Sequence, residues 1–364
     1  VKPSRLVAGT AAIAGAALVL TGCTPPYQYE VIEGTEIHVA WNDILDNFNG
    51  SSASGNNVAN SIALYMTGSG WNYYDGSPEL IKSPEFGSYE KTSDDPLTVK
   101  YTINNNVKWS DGVEVDEADM LLAFITGFGY FNSTDADGAT TYLFPHANPR
   151  PELVSTLPEF SDHTLTLVYD KPYVDWELQF AVGNVAAHAT VMLAYPEITD
   201  PEEAKTKFIE AVQNKDVSFL TPVAQAWNSA FQQTDTPSNP LVSLSYGPYI
   251  VDELKADQYV ALKANPDYNW GPSPKYEKVF IHQYTGATAF SSSLTALENG
   301  EIQIASGQPT PDILQIAQGI STANVFSGDE ATYEHVDLTF NNGGVFDPAY
   351  WGGDAAKALA VRKA

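Results

Sequence analysis

Two stretches far apart in the chain alternate apolar and polar residues with a period of two, and this commits both to strands. Leu97, Val99, Tyr101 and Ile103 alternate with Thr98, Lys100 and Thr102, while Leu165, Leu167 and Tyr169 repeat the pattern with Thr164 and Thr166. Successive strand side chains point to opposite faces, so each segment is a half-buried strand, and one sheet can hold both. From Glu36 a third alternation sets Ile37, Val39 and Trp41 against His38 and Ala40, predicting a first strand. Residues 246–254 and 259–263, split by Lys255, Ala256, Asp257 and Gln258, predict a hairpin.

Helices are expected between these strands. Asp116 precedes an apolar run through Met120, Leu121, Leu122, Phe124 and Ile125, and its carboxylate can accept the orphan amide bonds of a first turn, with Asp119 as reciprocal partner. Phe290, Leu294 and Leu297 recur at helical spacing, Gly300 can stop that helix, and residues 301–305 alternate again as a strand. The class is therefore mixed α/β, without internal repeats. Residues 42–57 are rich in Asn, Gly and Ser and follow the first strand, where open α/β folds place ligand contacts.

The charge excludes one class of partner. With 45 acidic against 18 basic residues the net charge is −27, the wrong sign for nucleic-acid phosphates. The acidity reads as a solvated surface.

The single cysteine cannot form an internal disulfide, so its position has to explain it. Lys2 and Arg5 precede the uncharged run 6–20, and Leu20, Thr21, Gly22 and Cys23 follow. As a helix the run spans about 22 Å, short of the ~30 Å hydrocarbon core of a bilayer. It resembles a bacterial lipoprotein signal, in which cleavage leaves an acylated Cys23 as the first mature residue. Residues 1–22 are then the signal peptide and 23–34, with Pro25 and Pro26, a tether on the extracytoplasmic face of the cell membrane.

Signatures of catalysis are missing from the sequence. There is no Gly-x-Ser-x-Gly, His-Glu-x-x-His or phosphate-binding loop, and the six histidines are dispersed. Residues 133–138 have the outline of a calcium loop, but Phe144 stands where its bidentate glutamate belongs, so a solvated loop is expected. No pair of carboxylates stands out for glycoside chemistry. No catalytic residue, metal or cofactor is assigned. Seven Trp and twenty Tyr, many in polar loops, suit either a recognition cleft or the seams between packed layers.

The stretch Asn106-Val107-Lys108-Trp109-Ser110-Asp111-Gly112-Val113-Glu114-Val115-Asp116-Glu117-Ala118-Asp119-Met120 resembles the G-V-K-W-S-D-G-x-P-x-T-A-x-D-V signature of the peptide-type extracellular solute-binding proteins of ABC transporters, family 5. Tyr246-Gly247-Pro248-Tyr249-Ile250-Val251, residues 264–270, Thr288-Ala289 and residues 297–305 continue the resemblance in order. Glu114 stands where proline is usual, and Gln303 where aspartate is usual. Physically these motifs are scaffolding: Gly112 permits a turn, and Pro266 ends a strand because it cannot donate to the ladder. Trp109, Asp111 and Gly112 are accordingly given structural roles.

The resemblance implies a two-lobed, periplasmic-binding-protein-like fold of the class II type. Residues 35–340 would form the N-terminal lobe with its inserted subdomain, and 341–364 the opening of a second lobe where the chain is truncated. It implies capture of an oligopeptide, delivery to an ABC permease and its ATPase, a monomeric state and no chemistry of its own. Ligand contacts are expected at Trp41, Asn42 and Asp43 after the first strand, at Tyr142 in the subdomain loop, and at Asn341 and Asn342 at the crossing. The same fold could instead take a nickel complex or an oligosaccharide. An extracytoplasmic hydrolase, or a peptide-binding sensor without a transporter, are the readings from other classes.

Overall fold

The computed structural model describes residues 30–74, 79–286, 288–307, 310–326 and 335–364. Cys23 and the expected signal peptide lie outside them. The chain divides into two compact units, one running to Ile316 and the other comprising Ala317–Ala364.

In chain order the strands are β1 (Ile32–Trp41), β2 (Asn72–Tyr74), β3 (Leu80–Lys82), β4 (Gly87–Asp94), β5 (Leu97–Ile103), β6 (Ser133–Thr134), β7 (Thr140–Thr141), β8 (Glu159–Ser161), β9 (Thr164–Val168), β10 (Tyr249–Lys255), β11 (Tyr259–Ala264), β12 (Tyr276–Gln283) and β13 (Ile304–Ala305). The helices are α1 (Val58–Leu64), α2 (Glu117–Gly127), α3 (Ala187–Ala194), α4 (Pro201–Gln213), α5 (Val217–Ser229), α6 (Ala289–Glu298), α7 (Pro311–Gly319) and α8 (Ala355–Lys363). None of the described helices is long and apolar enough to cross a membrane.

Two sheets organise the first unit. The alternating segments 97–103 and 164–168 are neighbours in a four-stranded antiparallel sheet of order β4-β5-β9-β8, with Val99 opposite Leu167 and Tyr101 opposite Leu165. Leu97, Val99, Tyr101 and Ile103 are all buried while Lys100 is exposed, so one face meets the core and the other meets water. A five-stranded sheet of order β10-β11-β12-β1-β13 carries the expected hairpin as β10 and β11, with β1 parallel to both β12 and β13. Asp257, in the tight turn of that hairpin, takes a left-handed φ of 56°.

Two local readings change. Ala40, expected on the polar side of β1, is buried, because Ala296 of α6 and Ile302 cover that side of the strand end. The strand expected over 301–305 shrinks to Ile304–Ala305. Glu301 N turns back to the Ala296 carbonyl at the end of α6, and only from Gln303, whose N bonds the His38 carbonyl of β1, does the chain join the sheet.

The cap of α2 forms as expected. Asp116 accepts from Ala118 N, and Asp119 accepts in return from Asp116 N at 3.2 Å. In the second unit Asp354 caps α8 by accepting from Lys357 N, and Arg362 returns from that helix to donate to the Phe346 carbonyl at 2.8 Å.

Candidate functional site: a polar recess beside the loop after the first strand

The polar loop 42–57 is knitted together by side-chain amides, its own and that of Asn60 in α1. Asn60 Oδ1 accepts from Asp46 N and Asn47 N, while Asn60 Nδ2 donates to the Gly55 carbonyl and to Asp46 Oδ1. Asn49 Nδ2 donates to the Trp227 carbonyl at 2.7 Å, and Asn49 Oδ1 accepts from Ser51 N. Asn47, Asn49, Ser52 and Asn60 are buried. A buried loop needs partners for its backbone, and these side chains supply them.

This loop forms one wall of a recess of about 190 Å³ that belongs wholly to the first unit. Asn49 and Ser51 contribute from the loop, Asp119, Leu122, Ala123 and Thr126 from α2, and Gln179, Phe180 and Asn184 from the chain leading to α3. His146, Asn148 and Trp227 line it as well. It is smaller than the roughly 300–1,000 Å³ of pockets that enclose a drug-sized ligand. Its capacity is one chemical group.

Both titratable side chains lining the recess lack a free charge to offer. Burial pushes the His146 imidazole below its ordinary 6.5, and its Nδ1 accepts from Asn148 N at 3.0 Å, leaving the neutral ring proton on Nε2. Burial likewise raises the Asp119 carboxyl, with Asp116 adding to the effect, while Lys205, His188 and the Ala187 amide oppose it. Three donors occupy Asp119: Trp109 Nε1 at 3.1 Å and Asp116 N on Oδ2, and Ala187 N at 2.8 Å on Oδ1.

The segment 106–120 therefore acts as a framework. Trp109 is wholly buried against Tyr246, ring centroids 4.8 Å apart and nearly perpendicular. Gly112 holds φ at 88°, which a side chain would strain. Asp111 Oδ2 meets His188 Nε2 at 2.9 Å, and Lys205 joins Asp116 at 2.6 Å. The Asp111–His188 pair has the outline of a catalytic dyad, but His188 is fully buried and, among the described residues, its Nδ1 meets no hydrogen-bond partner that could serve as a nucleophile. Among the described residues, no three His, Cys, Asp or Glu side chains are placed to hold a metal.

The expected ligand residues lie in three places. Trp41 ends β1 half-buried, its indole Nε1 enclosed without a hydrogen-bond partner among the described residues, and Asn42 and Asp43 follow it into solvent, Asp43 accepting from Ile44 N. Tyr142 is 48% exposed just past β7. Asn341 and Asn342 are exposed in the second unit, where Asn342 Oδ1 accepts from Gly344 N. Sequence reasoning marked the loop 42–57 but not His146, Asn148, Gln179 or Trp227, which reach the recess from elements distant in the chain.

Comparison with known proteins identifies the family. Residues 76–364 match the model of the bacterial extracellular solute-binding proteins, family 5, and the chain belongs to that family. An uncharacterized lipoprotein of Mycobacterium leprae is 24% identical over 277 residues, 75% of this chain and 45% of its own length. The oligopeptide-binding protein OppA of Mycobacterium tuberculosis is 25% identical over 339 residues, 91% of this chain and 47% of its own length. Among solved structures, the periplasmic EDTA-binding protein EppA superposes with a TM-score of 0.60 at 22% identity, over 82% of this chain and 48% of that one. Bacillus subtilis AppA, solved in complex with a nonapeptide, gives 0.50 at 14% identity, over 76% and 44%. These likenesses establish the mixed α/β fold of the family. The chain spans about half the length of the relatives it matches.

Proposed function

We propose that this chain is the peptide-capturing part of an ABC importer, anchored through an acylated Cys23 to the extracytoplasmic face of the cell membrane. Its ligand is an oligopeptide, delivered as a monomeric complex to a membrane permease driven by an ATPase. Residues 35–340 form the N-terminal lobe in this reading and 341–364 begin the second. The observation that carries it is the alignment of 91% of the chain with an oligopeptide-binding protein, within a family of binding proteins. Trp41, Asn42 and Asp43 at the end of β1, Tyr142, and Asn341 with Asn342 are the proposed contacts.

The likeness to an EDTA-binding protein raises a second ligand class, a chelated metal. A metal–EDTA chelate is an anion and favours cationic side chains. A chain with 45 acidic and 18 basic residues, and a recess without Lys or Arg, fits that guest poorly. An uncharged or mixed-charge peptide meets no such penalty. The binding mechanism is population shift, in which ligand stabilises the closed state that the permease recognises. Deleting the gene and following uptake of a labelled oligopeptide pool tests this: uptake should fall, and unchanged uptake would refute the transport role.

A further inference from the structure

The recess beside loop 42–57 is built for a guest that hydrogen-bonds without carrying charge. We propose that it is a specificity pocket for a carboxamide, the side chain of a glutamine or asparagine in the bound ligand. This rests on the peptide reading for the ligand's identity, but the pocket's chemistry stands on its own residues.

The unused polar groups define the guest. Ser51, Asn148 and Gln179 line the recess, and among the described residues none of their side chains makes a hydrogen bond. His146 adds an Nε2 proton, because its Nδ1 already accepts from Asn148 N. The lining thus combines a ring N–H, a hydroxyl and two amides, which together donate and accept. A carboxamide, with one acceptor oxygen and two N–H protons, matches both roles. The remaining amides are committed: Asn49 to Trp227 and Ser51, Asn184 to the Leu64 carbonyl.

Charge selects against the alternatives. No Lys or Arg lines the recess, and the Asp119 oxygens already hold three donors. A carboxylate entering would lose water without gaining a counter-ion, and an ammonium would meet only the Asp119 carboxyl, already engaged by three donors and pushed toward its neutral form by burial. Phe180 and Trp227 provide flat apolar walls, against which a planar amide can lie.

The probe is propionamide, titrated into the full chain while the His146 ring resonances are followed by NMR, with propionate and propylammonium as matched charged probes. Propionamide alone should shift the His146 signals, and Ala123→Phe, which fills the recess from α2, should abolish the response. Gln179→Ala, on irregular chain where folding is not at stake, should weaken it at least threefold. Absence of a shift with propionamide, equal shifts with the charged probes, or an undiminished response in both variants would overturn the proposal. A parallel selection from a random hexapeptide pool, read by native mass spectrometry, separates the two readings. Peptides retained without enrichment of Gln or Asn would refute the carboxamide pocket and leave peptide capture standing. If propionamide shifts His146 but no peptide is retained, the pocket survives and peptide capture fails.

Discussion

His188 Nε2 lies 2.9 Å from Asp111 Oδ2, joining the turn of the 106–120 segment to the first turn of α3 across 77 residues of sequence. His188 is fully buried and the carboxylate about a quarter exposed, so water replaces little of what a substitution removes. His188→Ala should cost about 1–3 kcal/mol, the usual penalty when a buried polar group loses its partner. Urea unfolding at constant m-value measures it, and an unchanged midpoint would show the contact to be incidental.

The same pair gives the protein an acid limit. At Asp111, burial acts to raise the pKa, but the His188 hydrogen bond and charge, the Val113 amide and its own amide outweigh it, and the net shift is below the ordinary 3.8. A carboxyl whose folded pKa is depressed stabilises the fold above its unfolded value, and that stability is lost as pH falls through the folded value. Stability should therefore decline as pH drops below about 3.8, and Asp111→Asn should remove this part of the decline. Unfolding midpoints of the two proteins between pH 3 and pH 6 provide the check.

Asp119 behaves in the opposite sense. Its carboxyl is raised by burial, so its ionisation costs folding energy, a cost absent below 3.8 that grows as pH rises through the folded value. Asp119→Ala would nevertheless orphan Trp109 Nε1, Asp116 N and Ala187 N together. A loss of about 3–5 kcal/mol is expected, comparable to breaking a buried charged network. Asp119→Asn, which keeps one acceptor oxygen, should lose less and unfold with a weaker pH dependence.

A histidine pair on the five-stranded sheet adds a third pH dependence. His38 Nδ1 and His282 Nε2 are 2.8 Å apart, while the ring centroids stand 5.1 Å apart, so the two rings meet edge to edge. Burial, and then the neighbouring His38, lower the His282 pKa below 6.5. Stability from the neutral ring is present above 6.5 and lost as pH falls through the folded value. His282→Gln should flatten the stability profile in that range, as followed by thermal unfolding at pH 7 and pH 5. An unaltered profile would count against the pairing.

Much of the framework was legible in the sequence, because period-two alternation and capping chemistry are local. The strand at 97–103 and the Asp116–Asp119 box formed where the pattern put them, the strand expected over 164–169 ends at Val168, and the hairpin expected over 246–254 and 259–263 formed at 249–255 and 259–264. Gly247 shows a motif residue whose reason was not legible. A Cβ there would stand 2.6 Å from Gly68 N and from Thr67 C, a backbone approach between segments 179 residues apart. The burial of Ala40 under α6 and the assembly of the recess from His146, Gln179 and Trp227 are tertiary facts of the same kind, which no local period encodes.

Gly247→Ala accordingly tests that approach. Displacing backbone against backbone should cost about 1–3 kcal/mol, the range for overpacking a close contact. Gly138→Ala provides the contrast, since nothing lies within 4 Å of its Cβ position and its cost comes from φ alone. Denaturation midpoints should fall further for Gly247→Ala.

Native mass spectrometry of the protein carrying this chain, with residues 1–22 removed and Cys23→Ser, tests the central claim most directly through its co-purified ligand. The account predicts a ladder of adducts with oligopeptide masses, released when the gas-phase complex is activated. A single sugar or metal-chelate mass in place of that ladder would contradict peptide capture while leaving the family assignment intact.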